Sequence, residues 1–353
     1  MQTESEDQRS GGLAAHLMAE FRGRHQSVKQ LMKTSDSQME DFTTALITLE
    51  KKGEVYVERH PRLRNGVLRS DIASTDVIYF GTFPSIERKT LLYQTRVEYG
   101  DHTINHILGC AHGCTYPCYA MQMSVRYGRV ADRSDWMYPR IASNTMSLLR
   151  SELEHLNHDV KFVHLSFMTD PFMYDAVNER TYPQVQDLTM EIIRYLNQND
   201  IKVTVLTKGL LPESLREPEY STDNEYGITL VSLDDEFQKV YEPFSAPASE
   251  RLKALRHLHD LHLKSWISLE PYPTPNIVDQ ELKELLRKVS FVDKMVFGRW
   301  NYSPEVNGHQ GAEKFYRDCS RTVSEFCHQK KIVLHIKHGT PMSRMKSNGL
   351  FYL

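Results

Sequence analysis

The strongest constraint on this chain is an alternation. From about residue 101 onward, short β-rich runs trade places with amphipathic segments. The runs are Ile104 to Leu108, KFVHLSFM around Val163 and Leu165, and KVTVLTK with Val203, Val205 and Leu206. GITLVSL, KSWISLEPY, KMVFGRW and IVLHIKH follow. Each has the length and composition of a strand. Between them Met146, Leu149 and Leu153 recur at helical spacing, as do Leu188, Ile192 and Leu196. Leu282, Leu285, Leu286 and Val289 trace the i, i+3, i+4, i+7 stripe of a buried helical face, and Gly311 to Lys331 reads as a last long helix. Such alternation over about 230 residues predicts parallel βαβ units. A closed eight-unit barrel takes about 250 residues. Six clear strands, with IVLHIKH as a seventh candidate, therefore predict an α/β fold built as a partial, open βα barrel of about six parallel strands. A doubly wound sheet is the competing arrangement.

The rest of the chain is less regular. Residues 1–40 read as a flexible N-terminal arm, with acidic and Ser/Gln-rich stretches, a Gly11-Gly12 pair and a short basic helix near Phe21 to Met32. Residues 41–100 form an N-terminal extension with strand-like pieces at Val55 to Val57 and Val77 to Phe80. Residues 101–338 carry the barrel, and 339–353 a C-terminal tail. A hydrophobic share of 40% with 25% charged residues excludes a disordered or collagenous chain. The 43 basic and 46 acidic residues give a net charge of −3, so no chain-wide cationic footprint marks a nucleic-acid binder. No apolar run approaches the roughly 18 residues of a membrane span. The opening MQTESEDQRS lacks the pattern of a signal peptide. A cytoplasmic protein without membrane contact is expected.

Chemistry concentrates in one loop. Cys110, Cys114 and Cys118 lie in GCAHGCTYPCYA, four residues apart twice, directly after the first β-rich run. In a reducing compartment such a cluster points to metal binding or catalysis before cross-linking. Thiolates suit zinc or an iron–sulfur cluster. Three thiolates leave one iron of a cluster without a protein ligand, free to bind a small molecule. Zinc held by the three cysteines and a histidine, with His112 the local candidate, is the competing reading.

Further along stand TDPF at 169–172, LTK at 206–208, EP at 242–243, ERL at 250–252 and LEPY at 269–272. With GC-AHG-C and CYA, taken in this order, the chain resembles the radical S-adenosylmethionine superfamily, and within it the spore photoproduct lyase-like branch. The resemblance covers roughly residues 100–300. It implies a [4Fe–4S] cluster on Cys110, Cys114 and Cys118, and S-adenosylmethionine bound at the open iron. It also implies a 5′-deoxyadenosyl radical that takes hydrogen from a substrate, and an external electron donor of flavodoxin or ferredoxin type. One departure is the second cysteine gap, which Pro117 lengthens from the family's two residues to three. A bulge of one residue still presents the thiolate.

The resemblance also assigns binding candidates. Ser166, Thr169 and Asp170 end the second strand, with Thr169 and Asp170 placed near the methionine end of S-adenosylmethionine. The competing role of Thr-Asp-Pro is to cap the next helix. Lys208 ends the third strand and offers a cation to a carboxylate. Ser232 ends the fourth. Arg251 either reaches the cosubstrate or pairs with Glu242. Tyr116 and Tyr119 flank Cys118 and pack on the adenine or shield the cluster. Spore photoproduct lyase carries a hydrogen-donating cysteine two residues before the position of Thr169, where this chain has Phe167, so thymine-dimer repair is not assigned. A second function class is a zinc-stabilised nucleic-acid-binding module or repair-associated protein. It draws on FRGRHQSVKQ in the arm and on Lys330, Lys331, Lys337, His338, Arg344 and Lys346, although a solvated face is the commoner explanation of such a run.

Overall fold

The computed structural model describes residues 3–34, 39–156 and 160–342. Its centre is an eight-stranded sheet. Seven strands run parallel in sequence order: His102–Ile104, Phe162–Leu165, Lys202–Thr207, Glu225–Thr229, Lys264–Tyr272, Lys294–Arg299 and Val333–Ile336. Leu92–Gln94 adds an antiparallel edge beside the first of them. The order never reverses. A doubly wound sheet requires a reversal, whereas right-handed crossovers taken always in one direction put every helix on one face and curl the sheet towards a barrel. The seventh candidate strand is real, so the partial barrel has one parallel strand more than the six clear ones.

Strand residues separate by period two. Val163, Leu165, Val203, Val205, Ile228, Ile267, Leu269, Met295 and Phe297 are fully buried in one large core. Helices Pro183–Gln198, Ala248–Asp260, Leu282–Lys288 and Ala312–Lys330 supply its other half through Ile192, Leu196, Leu255, Leu286 and Val323. Cys319 and Cys327 are buried in that last helix as small apolar groups. Intervening strand positions belong to an aromatic cluster. His164 stacks on Phe167 with ring centroids 3.9 Å apart, and Tyr99 meets His164, Trp266 and His335 edge-on. Tyr99 comes from the turn before the first parallel strand, and its neighbour Glu98 accepts from His335 Nε2 on the last, at 2.8 Å. That turn therefore ties the first parallel strand to the last.

Two segments differ from the sequence reading. The Ile104 to Leu108 run is not one strand. It breaks at Asn105, and Ile107–Leu108 pairs antiparallel with Arg140–Ala142 in a separate small sheet. The N-terminal segment, read as a flexible arm, packs. Ala14 and Leu17 of helix Thr3–Phe21 and Val28 and Leu31 of helix Val28–Thr34 join Phe42, Leu46, Leu49 and Phe80 in a second core. His25–Ser27 pairs with Val77–Tyr79. The acidic, Ser/Gln-rich composition hid a sparse apolar stripe that becomes sufficient once the extension offers a surface. Arg344 and Lys346 lie outside the described residues.

Candidate active site

The cysteine loop leaves the carboxyl end of the first parallel strand and ends at Cys118, the N-cap of helix Tyr119–Arg126. Its path is set by backbone constraints. Gly113 has φ +60°, and a Cβ there would stand 2.6 Å from the Phe244 ring. Cys110 N donates to Trp136 O at 2.9 Å, and Thr115 N and Oγ1 donate to Tyr241 O and Val240 O. The loop is thus stitched to two distant segments. Pro117 lies in the turn immediately before the helix starts.

As thiolates, Cys114 and Cys118 act by their charge on Cys110, and Cys118 acts on Cys114. Burial, the largest influence, pushes the Cys110 thiol well up and Cys114 to about 11. As bare thiols they stay protonated, and ligation to a cationic centre stabilises the thiolate instead. Three sulfurs of one loop meet the donor chemistry of an iron–sulfur cluster. Among the described residues no three His, Cys, Asp or Glu side chains gather around a single ion. His112 does not complete a zinc set either. Its Nε2 accepts from Tyr174 N at 2.9 Å and its Nδ1 lies 3.6 Å from Asp170 Oδ2, so both nitrogens face the frame. Burial holds this imidazole near a pKa of about 4, hence neutral.

Two polar knots support the loop. In the first, Asp170 Oδ1 accepts from Thr207 Oγ1 at 2.6 Å and from Phe172 N at 3.0 Å, while Oδ2 accepts from Lys208 N at 2.7 Å. The ends of the second and third parallel strands are joined through that one carboxylate. Gly209 permits the approach, since a Cβ there would sit 1.7 Å from Phe172 O. Thr169 Oγ1 donates to Gly109 O at 2.8 Å, binding the same segment to the cysteine loop. In the second knot, Glu242 accepts from Tyr116 Oη at 2.9 Å and from Arg251 Nη2 at 2.8 Å. Arg251 Nη1 donates to Thr229 O at 2.7 Å. Lys208 Nζ lies 3.8 Å from Glu242 Oε1 and 4.9 Å from the centre of the Tyr116 ring. Burial alone would neutralise Glu242; the charges of Arg251 and Lys208 outweigh it and hold the carboxyl below its usual range. Burial lowers Lys208, and the charges of Cys114 as a thiolate, of Glu242 and of Cys118 as a thiolate outweigh it, so Lys208 moves up.

The predicted residues therefore take different stations. Lys208 lies over the Tyr116 ring, and its charge acts on Cys114. Asp170 and Thr169 stand beneath the loop with their oxygens engaged by the protein. Arg251 is 1% exposed and holds Glu242, which is the pairing alternative. Ser166 Oγ donates to Ile104 O at 2.7 Å, and Ser232 Oγ accepts from Asp234 N at 3.1 Å. Tyr119 is exposed at the start of its helix. Sequence reasoning passed over Thr207, Met173, whose sulfur accepts from Ala111 N, and Trp300, whose ring meets Tyr116 edge-on at 5.3 Å. Only the threonine carried a signal, as part of LTK.

A one-directional parallel barrel with three cysteines on the loop after its first strand defines a class of cofactor-dependent enzyme. The chain belongs to the radical S-adenosylmethionine superfamily, whose model matches residues 104–289, and it is an enzyme of that class. Membership implies a [4Fe–4S] cluster, S-adenosylmethionine and a source of electrons. An uncharacterized protein of Acidianus two-tailed virus is 23% identical over 193 residues, 53% of this chain and 60% of its own length. Another, from Methanocaldococcus jannaschii, is 23% identical over 197 residues, 56% of this chain and 69% of its own length. Among solved structures, spore photoproduct lyase complexed with dinucleoside spore photoproduct matches with a TM-score of 0.52 at 13% identity, covering 71% of this chain and 80% of that one. A variant of that lyase with bound S-adenosylmethionine (AdoMet) and the dinucleoside spore photoproduct matches with a TM-score of 0.51, also at 13% identity and the same coverage. At that identity the likeness is one of fold. No helix among the described residues is long and apolar enough to cross a membrane.

Proposed function

We propose that Cys110, Cys114 and Cys118 hold a [4Fe–4S] cluster and that the chain abstracts hydrogen from its substrate through reductive cleavage of S-adenosylmethionine. The cluster supplies the electron and an open iron for the cosubstrate, from which the 5′-deoxyadenosyl radical forms. The observation that carries this reading is the match of the family model to residues 104–289, which include the three cysteines on the loop that follows the first strand of the barrel. Lys208, whose charge acts on Cys114, offers its ammonium to the methionine carboxylate in the space beside the loop. Glu242 keeps Lys208 charged and Arg251 fixes Glu242, so both act as positioning residues. Tyr116 and Trp300 wall the space with apolar surface and keep water out. Tyr119 offers an aromatic face for the adenine. Asp170 and Thr169 contribute by fixing the loop, with Ser166 and Ser232 at neighbouring strand ends. An electron donor of flavodoxin or ferredoxin type in the cytoplasm fits this chemistry.

Phe167 supports leaving thymine-dimer repair unassigned. It stacks on His164 in the aromatic cluster and offers no hydrogen to donate. The test is anaerobic reconstitution followed by iron and sulfide analysis and reductive incubation with S-adenosylmethionine. About four irons and four sulfides per chain, with release of 5′-deoxyadenosine that Cys114→Ala abolishes, are expected. Zinc without sulfide, or unchanged release from the variant, ends the reading.

A further inference from the structure

The cysteine loop has a second flank. There a cavity of about 300 Å³ opens beside the antiparallel edge strand, lined by Arg88, Arg129, Tyr93, Asn105, Leu108 and Met168 among others. Leu108 and Met168 form its wall towards the loop, for both pack in the cluster that contains Cys110 and Cys118. The volume lies at the small end of the range of ligand sites, ~300–1,000 Å³.

Its charge is unusual. Arg88 is anchored at the backbone, where its N–H donates to Asn144 Oδ1 at 3.0 Å and its carbonyl accepts from Asn144 Nδ2 at 2.8 Å. Of its guanidinium, Nη2 donates to Ile107 O at 3.2 Å, and Nε is buried without a partner. Burial first and the charge of Arg129 second hold Arg88 below its ordinary value, while the charge of Tyr93 raises it. Arg129 itself lies over the Tyr127 ring, 5.7 Å from its centre. Among the described residues no ion pair joins either arginine to a carboxylate. Two cations drawn together at a partly desolvated wall repel each other, and an oxyanion between them reverses the sign of the interaction. Asn105, also in the lining, is fixed, its Oδ1 accepting from Met168 N at 2.9 Å and its amide meeting the Tyr93 hydroxyl.

We propose that this cavity binds a phosphate group of the substrate between Arg88 and Arg129, with Tyr93 and Asn105 also in the lining. Two guanidinium forks offer more paired donors than one carboxylate can accept, and a phosphate uses both. The word substrate rests on the radical reading above; the phosphate site itself does not.

Calorimetric titration of the full chain tests this with inorganic phosphate, a mononucleotide, a dinucleoside monophosphate and acetate. Saturable phosphate binding is expected, tighter than acetate. It should weaken at least tenfold in Arg129→Gln, an exposed position with little risk to folding, and in Arg88→Lys, which keeps the charge and removes the fork. A tighter mononucleotide identifies a terminal phosphate as the source, and a tighter dinucleoside monophosphate a phosphodiester; either supports the site. Phosphate affinity within twofold of the parent in both variants overturns the proposal. So does acetate binding as tightly as phosphate, or a loss of S-adenosylmethionine affinity in the variants in place of phosphate affinity. Phosphate titration needs no cluster, so this site can fail while S-adenosylmethionine cleavage succeeds, and the reverse.

Discussion

The two flanks of the cysteine loop are built on opposite principles. On one, every charge is answered inside the protein: Glu242 by Arg251, Lys208 and Tyr116, and Asp170 by Thr207 and two backbone N–H groups. On the other, Arg88 and Arg129 share a cavity wall with no carboxylate paired to either among the described residues. A network whose charges are paired holds a shape, even with Arg251 Nε left without a partner. An unanswered pair of cations costs stability until something else arrives. The difference separates residues that make the frame from residues kept for a ligand, a distinction that residue type alone does not supply.

Removing the answering charge on the first flank should have the largest effect. Glu242→Ala leaves Arg251 and Lys208 as buried, uncompensated cations, and a loss of about 3–5 kcal/mol in denaturant-measured stability is expected. A loss below about 1 kcal/mol would show that water enters and that the flank is not the frame. Asp170→Asn should cost about 1–3 kcal/mol, because an amide keeps one acceptor but turns a donor towards Thr207 or Lys208 N; Asp170→Ala should cost more, and equal losses would deny the carboxylate its bridging role.

Two buried histidines, His164 in the aromatic cluster and His106 beside Thr189, give a third test. Burial holds His106 and His164 at pKa values of about 3. Both imidazoles are neutral in the fold, while the unfolded chain takes up protons below about pH 6.5. Their contribution is therefore complete above that pH and declines as pH falls towards 3, by about 1.4 kcal/mol per pH unit for each. Urea titrations at a series of pH values should show this slope, reduced by one histidine's share in His164→Phe. Last comes the second flank, where Arg129→Gln should change stability by no more than about 0.5 kcal/mol. A stability loss of 2 kcal/mol or more by the same urea titration would move Arg129 into the frame and erase the contrast between flanks.

Much of this architecture was legible in the chain. Strand runs and helical stripes announced six of the parallel strands and the long helix that became Ala312–Lys330, because period is a local property. The run at Ile104 to Leu108 misled for the same reason, since nothing local says that Asn105 turns the chain into another sheet. The N-terminal segment misled by composition, as four well-placed apolar residues suffice once a partner surface exists.

The cysteine triad and its spacing belong to the sequence alone, since they are local along the chain. What the fold decided was availability. Thr207 meets Asp170 across 37 residues, and Tyr116 meets Glu242 across 126. Those encounters consume polar groups that look free in the chain, while Arg88 and Arg129 emerge without a carboxylate partner among the described residues, and no motif marks them. Hydrogen-bonding capacity is spent in three dimensions, so the unspent remainder can be known only after folding.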